Sequence, residues 1–135
     1  MVGEDGIKKI LLVDDEPLIL MDLEFAAEDA GLSCLAATNV ETALQMIERD
    51  RPDCAVLDVS LTGNDTCVPI ARELDLRGIP YIIHSGDLDR QNERIRSLDA
   101  PRVAKPCNSD TVIRKALDHA SGTASQTDDS AEAAE

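Results

Sequence analysis

The sequence predicts an α/β domain in which helices cover both faces of a parallel sheet. Two observations lead to this prediction. Short, β-rich apolar runs alternate with longer helix-like stretches over the first 120 residues, which is the pattern of parallel α/β folds. The runs at residues 10–13 and 55–57 are continuously apolar, as expected for strands that are buried on both faces.

Five strands and five helices are predicted in alternation. The predicted strands span residues 7–13, 33–37, 53–58, 80–84 and 102–104. The predicted helices span roughly residues 17–30, 40–49, 65–77, 89–98 and 108–120. Residues 1–120 are therefore predicted to form one domain. The remaining residues 121–135 carry four acidic residues and no large apolar side chain, a composition that predicts an acidic disordered tail.

The charge of the chain argues against several kinds of partner. The sequence has 27 acidic and 13 basic residues, which gives a formal net charge of −14. Nucleic acids and anionic membrane surfaces both require a basic contact surface, so neither is an expected partner. Neither a signal peptide nor an apolar run long enough to span a membrane is recognisable. A cytoplasmic protein is the resulting expectation.

Polar residues stand at the carboxyl ends of four predicted strands. Asp14 and Asp15 follow the first strand, Asp58 ends the third, Ser85 follows the fourth and Lys105 follows the fifth. Each alone is a common turn or capping residue. Parallel sheets, however, bind ligands beyond the carboxyl ends of their strands. Clustered carboxylates need a counter-charge, for which Mg²⁺ is well suited, and a carboxylate beside that ion can attack a phosphoryl group.

These residues, in this order and on these elements, resemble the receiver domain of response regulators. The resemblance covers about residues 7–120 and implies a flavodoxin-like, doubly wound, five-stranded parallel sheet of order 2-1-3-4-5. A narrower resemblance to stand-alone receivers of the alphaproteobacterial type rests on residues 58–63, 68–71 and 78–81. It implies a receiver that acts without an effector domain in the same chain.

The resemblance also implies a role for each residue of the site. Asp58 would be the phosphoacceptor, Ser85 the switch hydroxyl and Lys105 the lysine that pairs with the phosphoryl group. Mg²⁺ would be bound by the carboxylates of Asp15 and Asp58 and by the backbone carbonyl of Ser60. The carboxylate of Asp14 would hold the ion through water. The chain would then be a switch in a two-component system or phosphorelay, and no enzyme beyond Mg²⁺-dependent self-phosphorylation and self-dephosphorylation.

The first predicted helix carries two apolar stripes. At 100° per residue, one stripe comprises Ile19, Leu23, Ala26, Ala27 and Ala30, and its small residues predict that it packs on the sheet. The other comprises Leu18, Met21 and Phe25 and is predicted to be exposed. In receivers this helix commonly meets a sensor histidine kinase or histidine phosphotransfer protein, so we expect docking near these three residues. Output would pass to a further, unidentified protein, or the domain would serve as a phosphate sink.

Two departures from the family leave other interpretations open. Many receivers have Met-Pro two and three residues after the phosphoacceptor, where this chain has Ser60 and Leu61. Many receivers have an aromatic ring shortly before the lysine, whereas Val103 stands two residues before Lys105 and that segment has no aromatic residue. A phosphorylation-independent adaptor that keeps only the fold is therefore an alternative. A phosphatase of the haloacid-dehalogenase kind would need a second acid two residues after Asp58. Because that position is Ser60, turnover of external substrates is not expected.

Overall fold

A computed structural model describes residues 7–61, 65–85, 100–105 and 107–121, without the side chains of residues 60, 61, 65 and 85. Its strands are β1 (Lys9–Val13), β2 (Ser33–Ala37), β3 (Cys54–Asp58), β4 (Ser60–Leu61), β5 (Asp65–Thr66), β6 (Tyr81–Ser85) and β7 (Arg102–Ala104). Its helices are α1 (Pro17–Asp29), α2 (Val40–Asp50), α3 (Val68–Arg77) and α4 (Ser109–Ser121).

Five of the strands form one parallel sheet in the order β2-β1-β3-β6-β7. This confirms the predicted order 2-1-3-4-5. The remaining two strands, β4 and β5, form a separate antiparallel pair. Because β3 lies at the centre of the sheet between β1 and β6, the residues that follow these strands converge on one edge.

The core consists of two apolar layers, one on each face of the sheet. Leu11 and Leu57 pack on one side with residues of α2 and α3, such as Ile47. Leu12 and Val56 pack on the other side with residues of α1 and α4. Successive residues of a strand point to opposite faces, so a strand covered on both sides must be apolar throughout. The continuous runs in β1 and β3 follow from this constraint.

Local signals fix where the helices begin and end. Asn39 caps α2, and its side-chain oxygen accepts a hydrogen bond from the backbone N–H of Thr42 at 2.8 Å. Pro17 and Pro69 stand in the first turns of α1 and α3, where a missing backbone N–H costs nothing. Helix α3 ends at Arg77 and is capped by Gly78, whose φ of 71° lies in the left-handed region that glycine tolerates.

The predicted start of the third helix, at residue 65, is wrong. Helix α3 begins at Val68. Residues 65 and 66 instead pair with residues 60 and 61. The hydroxyl of Thr66 accepts the N–H of Val68 at 3.3 Å, and the N–H of Cys67 donates to the carbonyl of Val59 at 3.0 Å. These bonds hold the chain in a turn ahead of the helix. The predicted helix at 89–98 and the predicted tail beyond residue 121 lie outside the described residues.

The two predicted stripes of α1 differ in exposure as expected. Leu18, Met21 and Phe25 are 74%, 41% and 59% exposed, while Leu23 is fully buried. Leu20, which was not assigned to the core stripe, is also buried. Among the described residues, no helix combines the length and apolar character needed to cross a bilayer.

Helix α3 offers a matched pair of leucines that tests the burial pattern. Leu74 is fully buried, whereas Leu76 is 81% exposed. We expect Leu74→Ala to lower the free energy of unfolding by about 2–5 kcal/mol, because it removes buried methyl groups and leaves a cavity. Leu76→Ala should change it by less than about 0.5 kcal/mol. Urea denaturation measures both values, and equal losses would contradict the assigned orientation of α3.

Candidate functional site

Three carboxylates meet at the carboxyl edge of the sheet. Asp14 and Asp15 follow β1, and Asp58 is the last residue of β3. One ligand oxygen from each lies within 4.8 Å of the others. Asp14 and Asp58 are buried, with only 1% and 5% of their surface exposed, and Asp15 is half-buried. The sequence prediction that these three residues form one cluster is confirmed geometrically.

Lys105 supplies a positive charge to this cluster. The residue directly follows β7, and its Nζ donates a hydrogen bond of 2.8 Å to Asp58 Oδ1. The same ammonium lies 3.5 Å from Asp14 Oδ2. The other oxygen of Asp14 accepts the backbone N–H of Glu16 at 2.9 Å. One ammonium among three carboxylates leaves an excess of negative charge that favours a bound cation.

The pKa values of the site reflect burial opposed by this lysine. The pKa of Asp58 is raised to about 6, chiefly by burial; the hydrogen bond from Lys105 opposes this rise, and the nearby charge of Asp14 adds to it. Burial also raises the pKa of Asp14. Burial alone would lower the pKa of Lys105, but the hydrogen bond to Asp58 and the charges of both aspartates raise it. The ammonium is therefore retained at neutral pH.

Two further predicted residues are described through their backbone alone. Ser85 ends β6, and its Cα pairs with that of Ala104 at the same edge of the sheet. Ser60 lies two residues after Asp58 in the short strand β4. The side chains of both lie outside the described part of the chain. Their predicted roles therefore remain predictions.

One polar residue beside the site received no role from the sequence. His84 is the Cα partner of Asp58 across the β3–β6 pair, and it is only 4% exposed. Burial and the charge of Lys105 lower its pKa to about 4. A histidine within an otherwise apolar strand is the sequence signal that could have drawn attention to it.

The donor set of the cluster fits a magnesium ion. Carboxylate oxygens are hard ligands, and Mg²⁺ is usually held by one or two carboxylates together with water. The described residues contain no other comparable group of histidine, cysteine and acidic side chains. The arrangement thus combines a metal-binding cluster with a buried carboxylate and a lysine, which is a set of groups suited to phosphoryl transfer.

Residues 10–117 match the family model of the response regulator receiver domain, and the chain belongs to this family. Receiver domains are phosphorylation-dependent components of two-component signalling. They interact with histidine kinases or phosphotransfer proteins and with downstream effectors. They are typically non-enzymatic signalling domains, and they bind Mg²⁺ at an acidic cluster of aspartates.

Two solved structures are similar to this chain in fold. The chain is 35% identical to SdrG from Sphingomonas melonis Fr1, with a TM-score of 0.71 and coverage of 85% of this chain and 96% of that one. A CheY-like receiver from Methanospirillum hungatei JF-1 shares the fold at 22% identity and a TM-score of 0.75, with coverage of 90% and 99%.

Longer regulators match over part of their length. The alginate biosynthesis regulator AlgB of Pseudomonas putida is 30% identical over 115 residues, which cover 82% of this chain and 25% of AlgB. The alkaline phosphatase synthesis regulator PhoP of Bacillus subtilis is 38% identical over 69 residues, which cover 49% of this chain and 29% of PhoP. The matches therefore span between a quarter and a third of these two curated relatives.

The raised pKa of Asp58 predicts a pH-dependent loss of stability without magnesium. The folded protein binds this proton more tightly than the unfolded chain does, so stability present below about pH 4 is lost as the pH rises through about 6. Asp58→Asn lacks this titration and should raise the free energy of unfolding at pH 7.5 by about 1–3 kcal/mol. Urea denaturation in chelator-treated buffer measures the effect.

A matched substitution controls for the loss of charge itself. Asp118 is exposed on α4, so Asp118→Asn removes one negative charge without touching the site. This variant should show the same decline of stability with pH as the unmodified protein. If Asp58→Asn shows that decline undiminished, burial of Asp58 does not cause it.

Proposed function

We propose that Asp58 accepts a phosphoryl group from a phosphohistidine of a sensor kinase or phosphotransfer protein. The observation that carries this proposal is the buried position of Asp58 at the end of the central strand, where its carboxylate contacts Lys105 and lies among two other acids. The proposed unit comprises residues 1–120 and is cytoplasmic, and residues 121–135 form a separate acidic tail.

In the transfer, a carboxylate oxygen of Asp58 attacks phosphorus and forms the P–O bond of an aspartyl phosphate. The P–N bond of the donor breaks, and its electron pair returns to the imidazole of the donor. Lys105 already donates to Asp58, so its ammonium can follow the negative charge as that charge moves onto the phosphoryl oxygens. We assign Ser85 the role of donating its hydroxyl hydrogen to one of these oxygens.

Mg²⁺ is the proposed cofactor, and it would neutralise charge on the transferring oxygens. The carboxylates of Asp15 and Asp58 and the backbone carbonyl of Ser60 would bind it directly, and Asp14 would hold it through water. Asp14 accepts a hydrogen bond from the backbone N–H of Glu16, which occupies one of its two carboxylate oxygens. This favours binding of the ion through water over direct ligation by Asp14. The same site would catalyse self-dephosphorylation, in which water attacks phosphorus and Asp58 leaves.

The exposed stripe of α1 is the proposed docking site for the phosphodonor. Leu18, Met21 and Phe25 lie side by side on a helix that begins two residues after Asp15. Large exposed apolar side chains that form a patch indicate a protein contact. A partner on this face would have its histidine close to Asp58. The adaptor alternative is not favoured, since the acids and Lys105 are assembled as phosphoryl transfer requires.

Phosphorylation of Asp58 is tested with acetyl phosphate and Mg²⁺. The protein should gain one phosphoryl group by mass, because the carboxylate can attack a small acyl phosphate without a kinase. Asp58→Asn should gain none, whereas Asp118→Asn, in which an exposed aspartate is replaced, should react like the unmodified protein. An equal gain in Asp58→Asn would place the phosphoacceptor elsewhere.

Magnesium binding is tested by isothermal titration of the unphosphorylated protein. Asp15→Asn should weaken Mg²⁺ binding by tenfold or more, because it removes a direct carboxylate ligand. Asp22→Asn serves as control, since Asp22 is an exposed aspartate on α1 outside the three-carboxylate cluster. Unchanged affinity in Asp15→Asn would rule out the proposed ligand set.

The docking stripe is tested by separating kinase-dependent from kinase-independent phosphorylation. Phe25→Ala should leave the rate with acetyl phosphate unchanged and should slow transfer from the partner kinase by tenfold or more. Leu76→Ala removes an even more exposed apolar side chain, on α3, and should leave both rates unchanged. Equal slowing by the two variants would show that α1 is not the contact surface.

A further inference from the structure

His84 is a buried polar side chain for which the described part of the chain offers no hydrogen-bond partner. It is only 4% exposed, and neither Nδ1 nor Nε2 has a partner among the described residues. A buried polar group left unpaired costs about 1–3 kcal/mol of stability. A leucine at this position would avoid that cost, so packing alone does not explain why a histidine stands here.

The ring of His84 faces a cavity that Lys105 also lines. The cavity has a volume of about 190 Å³ and lies between α1 and the start of α4. Ile19, Asp22 and Ser109 contribute to the same wall. Because the pKa of His84 is lowered to about 4, the ring is neutral near pH 7 and offers one N–H donor and one nitrogen acceptor. Space and polar groups for new hydrogen bonds are thus already present.

Two structural connections join His84 to Asp58. The two residues are Cα partners in neighbouring strands, so their side chains leave the same face of the sheet. Lys105 forms the second connection, since its ammonium bonds Asp58 while its side chain lines the cavity beside His84. A phosphoryl group adds up to about two negative charges. A shift of Lys105 towards that charge would change the wall of the cavity.

We propose that His84 transmits the phosphorylation state of Asp58 to the cleft between α1 and the start of α4. This inference rests on the proposed phosphorylation of Asp58. When Lys105 follows the phosphoryl group, the imidazole ring turns in the cavity. Its N–H then donates to an oxygen at the mouth of the cavity, either the Asp22 carboxylate or the Ser109 hydroxyl. The ring thereby gains a hydrogen bond to the wall of the cavity.

The change at His84 would reach the surface next to the docking stripe. A second, outer cavity of about 360 Å³ is lined by Phe25 of the stripe and by Asp29 and Asp110. The inner and outer cavities share Asp22, Cys107 and Ser109 as lining residues. A new bond to the shared wall would therefore alter the cleft that a partner on α1 contacts. Such coupling would let a kinase distinguish the phosphorylated from the unphosphorylated domain.

The histidine ring itself provides a direct test by ¹⁵N nuclear magnetic resonance. The chain has two histidines, His84 and His119, and the second lies on α4 outside the cavity. Addition of beryllofluoride and Mg²⁺, which imitate the phosphoryl group, should shift the ring nitrogen signals of His84 and leave those of His119 in place. Unchanged His84 signals in protein that has bound beryllofluoride would overturn the inference.

Cysteine alkylation provides an independent test at the mouth of the cavity. Cys107 and Cys34 are both half-buried, but only Cys107 lines the two cavities. Beryllofluoride should change the rate of iodoacetamide labelling at Cys107 by threefold or more, with no change at Cys34. In His84→Leu and His84→Phe, which lack ring nitrogens, this response should disappear. An undiminished response in either variant would overturn the role of the imidazole.

Mass measurement separates failure of the inference from failure of the proposed function. His84→Leu and His84→Phe should still gain one phosphoryl group from acetyl phosphate, because both variants keep the three carboxylates and the ammonium of Lys105. If the unmodified protein gains no phosphoryl group on Asp58, the proposed function and this inference both fail. If Asp58 is phosphorylated while His84 and Cys107 do not respond, only the inference fails.

Discussion

Lys105 holds two buried carboxylates in place at an edge where the sheet brings three of them together. Its ammonium lies 2.8 Å from Asp58 and 3.5 Å from Asp14. Without this charge the cluster would depend entirely on protonation or on a metal ion. Lys105 is 91 residues from Asp14 in the sequence, so the contact also ties the residue that follows the edge strand β7 to the centre of the sheet. The same constraint explains why the site consists of residues distant in sequence.

The strands and most helices could be predicted because their signals are local. The apolar runs of β1 and β3 reflect burial on both faces, and Asn39 caps α2 through its own side chain. The joint placement of Asp14, Asp58 and Lys105 could be predicted because the carboxyl ends of parallel strands meet at one edge of the sheet. The family resemblance supplied the sheet order, which alternation of strands and helices does not determine.

Features that depend on tertiary packing could not be predicted in the same way. The strand pair β4–β5 has only two residues in each strand, too few to show any periodicity. Leu20 is buried because it packs into the core cluster on the α1 face of the sheet, a tertiary contact that sequence spacing does not reveal. His84 carried a sequence signal, yet its burial and the adjoining cavity become visible only when β6 is seen against α1 and α4.

The aliphatic composition of the core gives the protein an unusual optical property. The chain has no tryptophan and a single tyrosine. Tyr81 is buried at the start of β6, and its hydroxyl donates to Asp75 at 3.3 Å. This residue and the site stand at opposite ends of the same strand. Ultraviolet emission from the protein therefore comes almost entirely from Tyr81, and a tryptophan placed near Asp58 would add a signal at longer wavelength, free of any native tryptophan emission.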